Sequence, residues 1–159
     1  MSSRENPPPP IPFSTTLHVR DHCLCFQAQR AARELARTFD LAFQPLGLTN
    51  GQFSLMMALN RPQPPALGQL AGELRVDRTT LTAAVKVLER RRLVAGSRDP
   101  ENRRVQRLSL TPEGYALLQL ALPIWERTLA RIAGPALQDQ SATGEALRSL
   151  ADRAAAARA

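Results

Sequence analysis

Nothing in this sequence is apolar for long enough to cross a membrane, which takes about 20 consecutive apolar residues. The N-terminus does not open like a secretory signal either, because Arg4 is followed by prolines and not by an apolar stretch. A cytoplasmic protein with no membrane partner is expected. Cysteine is nearly absent: only Cys23 and Cys25 occur in 159 residues, which excludes a disulfide framework. A cytosolic pair of this kind is expected to be reduced, metal-bound or redox-active and not a structural staple. Histidine is just as scarce. His18 and His22 lie four apart and Cys25 follows, a spacing that suits zinc, but no third and fourth ligands are evident. There is no glycine-rich phosphate loop, no Gly-x-Ser-x-Gly and no His-Glu-x-x-His, so neither an enzyme nor a cofactor is expected.

Aromatic residues make up only 4% of the chain, yet 43% of it is hydrophobic, enough for a core in one domain of this length. The net charge of +7 is strongly localised. Between Arg75 and Arg107 lie ten basic and four acidic residues, which is +6 of the +7. A basic surplus confined to one segment is the electrostatic footprint of a polyanion partner. Lys86 is the only lysine, and no function is drawn from that.

That segment belongs to the stretch from Ala66 to Pro112, which reads as two short helices and a hairpin. The first helix, Leu67 to Leu74, buries Leu67, Leu70, Ala71 and Leu74. Asp77 can cap the second, in which Leu81, Val85 and Leu88 recur on one face. Arg78, Thr79, Thr82, Ala83 and Lys86 fall on the other side, with Arg75 and Thr80 close by. A short, donor-rich face of this kind suits a helix entering a major groove. Leu93 to Ala95 and Val105 to Leu110 read as strands, joined by a loop with turn formers at Gly96, Asp99, Pro100 and Asn102. Arg98, Arg103 and Arg104 crowd that loop and would repel one another without an anion, for which a phosphate backbone or minor groove is the natural partner. The plainer readings are an ordinary helical hairpin with a solvated face and a charged soluble loop.

In this order, LTNGQFSLMMAL, LGQLAGEL, DRTTLTAAVKVLERRRLV and RDPENRRVQRLSLTPEG resemble the DNA-binding domain of the MarR family of bacterial transcription regulators. The motifs run from Leu48 to Gly114, and flanking helices extend the likeness over most of residues 17 to 155. The resemblance implies a mostly α fold with a small β-hairpin wing: a winged helix-turn-helix between long N- and C-terminal dimerisation helices. It implies contacts to double-stranded DNA through Arg75, Arg78, Thr79, Thr80, Thr82, Lys86, Arg98, Arg103 and Arg104. Two positions depart from the family. Asn102 stands where an Asp usually fixes the wing arginine, so either the wing is looser or Asp99 substitutes. Arg92 stands where a Gly usually ends the recognition helix, and a left-handed non-glycine residue costs on the order of 1 kcal/mol.

Residues 1–12 are read as a flexible proline-rich tail and residues 13–47 as an N-terminal dimerisation region. Within that region one continuous helix is expected from Thr16 to Leu46, with an apolar stripe through Leu17, Leu24, Ala28, Ala31, Leu35, Phe39, Ala42 and Leu46. Residues 48–112 form the winged helix-turn-helix, and residues 113–159 the C-terminal dimerisation helices. Thr111 is the expected cap of the first of these, Pro123 a kink and Gly134-Pro135 its end, and a last helix starts at Ser141. Apolar stripes this long must pack on something. A homodimer is expected, with paired recognition helices reading a near-palindrome, and repression is the simplest regulatory outcome.

Two triggers are open. Oxidation of Cys23 and Cys25 is one. On an intact helix their side chains point about 200° apart, so a disulfide needs the helix end to unwind or a second subunit. If Asp21 caps the helix, Cys23 lies in its first turn, where the thiol pKa is lowered. The plainer reading is two small residues in a helix interface. The other trigger is a small aromatic anion, which the resemblance places between the dimer helices and the DNA-binding lobe. Phe39, Phe43, Phe53, Met57 and Trp125 would line the cleft, with Arg37 or a histidine as the anion partner; the plainer reading is that they are core. A helical interaction module without sequence-specific DNA binding is the alternative function.

Overall fold

The helix ends follow proline, glycine and capping side chains. The computed structural model describes residues 10–133 and 140–158, and its chain divides into two compact units between Arg37 and Thr38. Most of the proline-rich tail and the expected stop at Gly134-Pro135 lie outside the described residues.

In the first unit, α1 (Phe13–His22) follows Pro12 directly and α2 (Leu24–Phe43) begins one residue beyond Cys23. The expectation of one uninterrupted helix from Thr16 to Leu46 is therefore corrected. Cys23 has extended backbone, with φ −75° and ψ 102°. Its N–H still donates to the Val19 carbonyl at 2.8 Å, and its own carbonyl accepts from Gln27 N at 3.1 Å, so one residue closes α1 and opens α2. The Gln27 side chain donates to the Arg20 carbonyl at 3.0 Å, satisfying an acceptor that the break leaves without a helical partner. The apolar repeat keeps its spacing across this point, which is why it hides the break. Asp21 is no cap: it lies inside α1 and pairs with Arg20. Cys25, not Cys23, sits in the first turn of α2.

In the second unit, α2 ends in a 3-10 turn at Gln44–Leu46, and Gly47 reverses the chain at φ +61°. Thr49 and Gln52 form a reciprocal capping box at the start of α3 (Asn50–Leu59), and the Asp40 carboxylate accepts from Asn50 N at 2.6 Å. Helices α4 (Leu67–Leu74) and α5 (Arg78–Arg90) follow, then strands β1 (Val94–Arg98) and β2 (Gln106–Leu110). Helix α6 (Pro112–Ala133) runs without interruption through Pro123, and α7 (Gln140–Ala156) closes the described chain.

The strands pair antiparallel, with Val94 opposite Leu110, Gly96 opposite Leu108 and Arg98 opposite Gln106. Gly96 is thus part of a strand and not of the turn. Its pairing lengthens β1 beyond the three residues expected. A third segment lies along the free edge of β2: Leu108 N donates to the Pro65 carbonyl at 3.1 Å and Ala66 bridges to Arg107. This places the loop before α4 against the base of the wing.

The core of this unit is mainly aliphatic. Phe43, Met56, Leu59, Leu70, Leu88 and Leu108 are its largest fully enclosed side chains, each contributing about 1.5–3 kcal/mol of transfer free energy. Gly114 joins α6 to this core at very close range. A Cβ there would stand 2.1 Å from the Leu93 carbonyl oxygen. Thr111 secures the same junction, accepting from Gly114 N at 3.0 Å while its hydroxyl donates to the Arg92 carbonyl at 2.6 Å.

Candidate nucleic-acid interface

Helix α5 is placed by its buried face. Leu81, Val85 and Leu88 are in the core, which turns Arg78, Thr79, Thr82, Ala83 and Lys86 outward around one shallow groove. The Asp77 carboxylate accepts from Thr80 N at 2.8 Å and starts the helix as expected. The Thr80 hydroxyl also donates to Asp77, and this bond is the main reason the Asp77 carboxyl titrates below its ordinary range. Thr80 therefore acts in the cap. It borders a cleft formed with Leu55, Leu74, Leu81 and Ala84, away from the outward groove. Thr82 does face that groove, but its hydroxyl donates back to the Arg78 carbonyl at 2.7 Å.

Both short helices end on a left-handed residue. Arg75 has φ +52° and Arg92 φ +58°, and they are the only described non-glycine residues with positive φ. After α5, Leu93 N reaches the Leu88 carbonyl at 3.0 Å and Arg92 N reaches Glu89 at 2.9 Å. After α4, Val76 N reaches Ala71 at 3.1 Å and Arg75 N reaches Gly72 at 3.2 Å. These are paired six-to-one and five-to-two terminations, the geometry that favours glycine. The Arg75 guanidinium pairs with Asp152 of α7, so this expected DNA contact holds a carboxylate in the free chain. Arg91 points the other way, donating to the Gly47 carbonyl at 2.7 Å and to Gln52 at 3.1 Å, which ties the end of α5 to the start of α3.

The wing is organised by Asp99. Its carboxylate accepts from Glu101 N at 2.8 Å and Asn102 N at 3.0 Å and forms an ion pair with Arg107. The Arg107 partnership, ahead of the backbone bonds, holds the Asp99 carboxyl below its ordinary range. Arg107 also donates to the Pro64 carbonyl at 2.9 Å. Asp99 thus gives the wing a carboxylate, but its partner is Arg107 and not an arginine of the Asn102-Arg103-Arg104 core. Asn102 instead accepts from Arg104 N at 3.1 Å and closes the turn. Arg98, Arg103 and Arg104 are exposed around this tip.

The five aromatic-pocket candidates separate. Phe39, Phe43 and Phe53 are buried in the core, with ring centroids 6.0 Å apart for the first pair and 4.7 Å for the second, and Trp125 stacks on Phe53 at 6.5 Å. Only Met57 stands apart, on a cleft of about 180 Å³ with Asn60, Tyr115, Leu118, Gln119 and Leu122. Cys23 is half-buried at the break between α1 and α2. Cys25 is exposed and accepts from the Gln29 side chain at 3.2 Å. The His18 and His22 rings stack at 4.2 Å. Arg107, Arg91 and Gly114 were not anticipated. A signal for Arg107 exists in the sequence, since an arginine alternating with Leu108 and Leu110 on β2 must leave the core face and seek a partner.

The profile of the MarR family matches residues 48–105, which include α3, α4, α5, β1 and the wing loop. A transcriptional regulator of M. tuberculosis, MosR, solved in complex with DNA, is 33% identical; the similarity covers 87% of this chain and all of that one, with a TM-score of 0.79. The structure of BpsR from Bordetella bronchiseptica, whose DNA binding is regulated by 6-hydroxynicotinic acid, is 26% identical over 91% of this chain and 99% of that one, with a TM-score of 0.73. The organic hydroperoxide resistance transcriptional regulator of Bacillus subtilis is 27% identical over 101 residues, which are 64% of this chain and 69% of that protein. No helix among the described residues is long and apolar enough to cross a membrane.

Proposed function

This chain belongs to the MarR family of DNA-binding transcriptional regulators, and from that premise we propose that it works as a homodimeric repressor on a pseudo-palindromic operator. The observation that carries this reading is the contrast between the two kinds of exposed surface. The outward face of α5 and the wing tip expose Arg78, Lys86, Arg98, Arg103 and Arg104, a cationic array matched to phosphate. The terminal helices expose apolar side chains instead: Phe13 is 73% accessible, Leu24 65% and Leu147 55%. A second copy would cover such surfaces and set two recognition helices about one duplex turn, roughly 34–36 Å, apart. The alternative, a helical interaction module without DNA binding, gives way to the family assignment.

A mobility shift on the protein's own upstream DNA, repeated across salt concentrations, tests the reading. Arg104→Ala, with folding intact, is expected to weaken binding across sequences and to lower the salt slope by about one unit. Unchanged affinity and slope would remove the wing from the interface. Sedimentation showing a stable monomer at micromolar concentration would contradict the dimer.

Release by oxidation is favoured by the break at Cys23. The non-helical Cys23 marks a point where the helix is already broken, so a disulfide there would have less helix to unwind. A hydroperoxide would take two electrons from one thiolate to give a sulfenic acid and an alcohol, and the second thiol would displace water to form a disulfide. The name of the Bacillus relative supports this choice of oxidant. Peroxide is expected to abolish operator binding, and Cys23→Ser and Cys25→Ser are each expected to remove that response. Release by a small aromatic anion is the second reading. It is supported by what BpsR responds to and by the cleft beside Met57 and Tyr115. Calorimetry with salicylate-like compounds that gives no heat and no loss of DNA affinity would count against it.

A further inference from the structure

The recognition helix has fewer protons to offer a base edge than its run of threonines implies. Thr80 has turned its hydroxyl to Asp77 and borders the inner cleft. Thr82 remains on the outward groove, but its proton is held by the Arg78 carbonyl oxygen at 2.7 Å. A helical threonine bonded in this way draws its oxygen back along the helix, and its methyl group is what is left to project. Ala83 lies beside it on the same groove and adds a second methyl. Arg78 and Lys86 flank the pair, each about one turn from it along α5. The result is a small apolar spot between two cations, bordered by Thr79, on the outward face of α5.

The major groove presents one apolar group, the C5 methyl of thymine. Arg78 and Lys86 can satisfy phosphates or purine acceptors on either side, but neither gains from an apolar neighbour. Thr82, without a free proton, makes a poor donor to guanine or adenine. We propose that Thr82 and Ala83 read a thymine methyl in each operator half-site, which makes them specificity determinants and not general DNA contacts. The proposal rests on the DNA-reading function above and names the base chemistry recognised at its centre.

Full-length protein can be used to select binding duplexes from a random pool, and each thymine of the selected half-site then replaced singly by uracil, which removes only the methyl. Affinity is measured by fluorescence anisotropy at fixed salt. At one or two positions per half-site, uracil is expected to weaken binding about fourfold, the value of one methyl group withdrawn from water. Thr82→Ser keeps the hydroxyl bond and drops the methyl, so it is expected to lose most of the discrimination between thymine and uracil. Thr82→Val keeps a methyl and is expected to retain it. If Val loses the discrimination and Ser keeps it, the residue reads through oxygen and the proposal is overturned. If the pool converges yet no uracil matters, the proposal fails while DNA reading stands. A pool that never converges sinks both.

Discussion

Helices α3, α4 and α5 differ from α1 and α7 in how completely one chain satisfies them. In α3 to α5 every helix buries apolar residues, four of them in α3 alone, and side chains of Thr49 and Asp77 cap two of the three starts. Helices α1 and α7 bury nothing, and α1 begins after Pro12 without a side-chain cap. Helix α2 buries only Phe39 and Phe43, both close to its end. A DNA-reading module can therefore fold around its own core, whereas the terminal helices carry apolar surface that one chain leaves in water. That surface is the physical basis for proposing a second subunit.

The sharpest way to break this contrast is at the junction of the module with α6. Gly114→Ala places a Cβ on the Leu93 carbonyl, and backbone cannot yield as a flexible side chain would. A loss of about 3 kcal/mol or more in chemical denaturation is expected, with the wing detached from α6. In the terminal region the opposite behaviour is expected. Leu24→Glu should leave the midpoint of module unfolding unchanged but weaken self-association tenfold or more, as read by sedimentation, because an exposed leucine buried between subunits contributes on the order of 1.5–3 kcal/mol. If Leu24→Glu instead unfolds the module, the division fails. A smaller effect, of opposite sign, is expected at the end of α5. Arg92→Gly relieves a left-handed side chain and should raise stability by about 1 kcal/mol. A loss of DNA affinity in the same variant would show that the strained arginine also contacts the backbone.

The smallest effect is the response of the wing to acid. The Asp99 carboxyl titrates below its ordinary value because it is paired with Arg107. Its contribution is therefore complete above the unfolded-state value near 4 and is lost as pH falls through the lower native value. Amide protection in residues 99–107, taken relative to the intrinsic exchange rate at each pH, is expected to fall below about pH 4, and Asp99→Asn should flatten that dependence. An acid response that persists unchanged in Asp99→Asn would assign it to another group.

Much of the module was legible from local chemistry. Asp77, Thr49 and Thr111 are capping residues immediately before apolar periodic runs, and all three cap as expected. Leu81, Val85 and Leu88 announced which face of α5 would turn inward. Of the two outcomes left open at Asn102, neither is met as stated: Asp99 anchors the wing through Arg107, while Arg103 and Arg104 stay exposed. Other features were not legible. The break at Cys23 preserves the apolar spacing of the helices on either side, and its stability comes from Gln27 reaching back to Arg20. The aromatic residues at Phe39, Phe43 and Phe53 had a spacing that suits a pocket wall as well as a core, and only their burial separates the two.

By itself the sequence determined where helices start, which faces are apolar and where the charge lies, because capping, periodicity and net charge act over a few residues. Tertiary structure decided which arginine the wing carboxylate Asp99 holds and why Gly114 tolerates no side chain. Each depends on a group brought close from elsewhere in the chain: the Arg107 guanidinium and the Leu93 carbonyl. Such approaches have no period or composition to announce them.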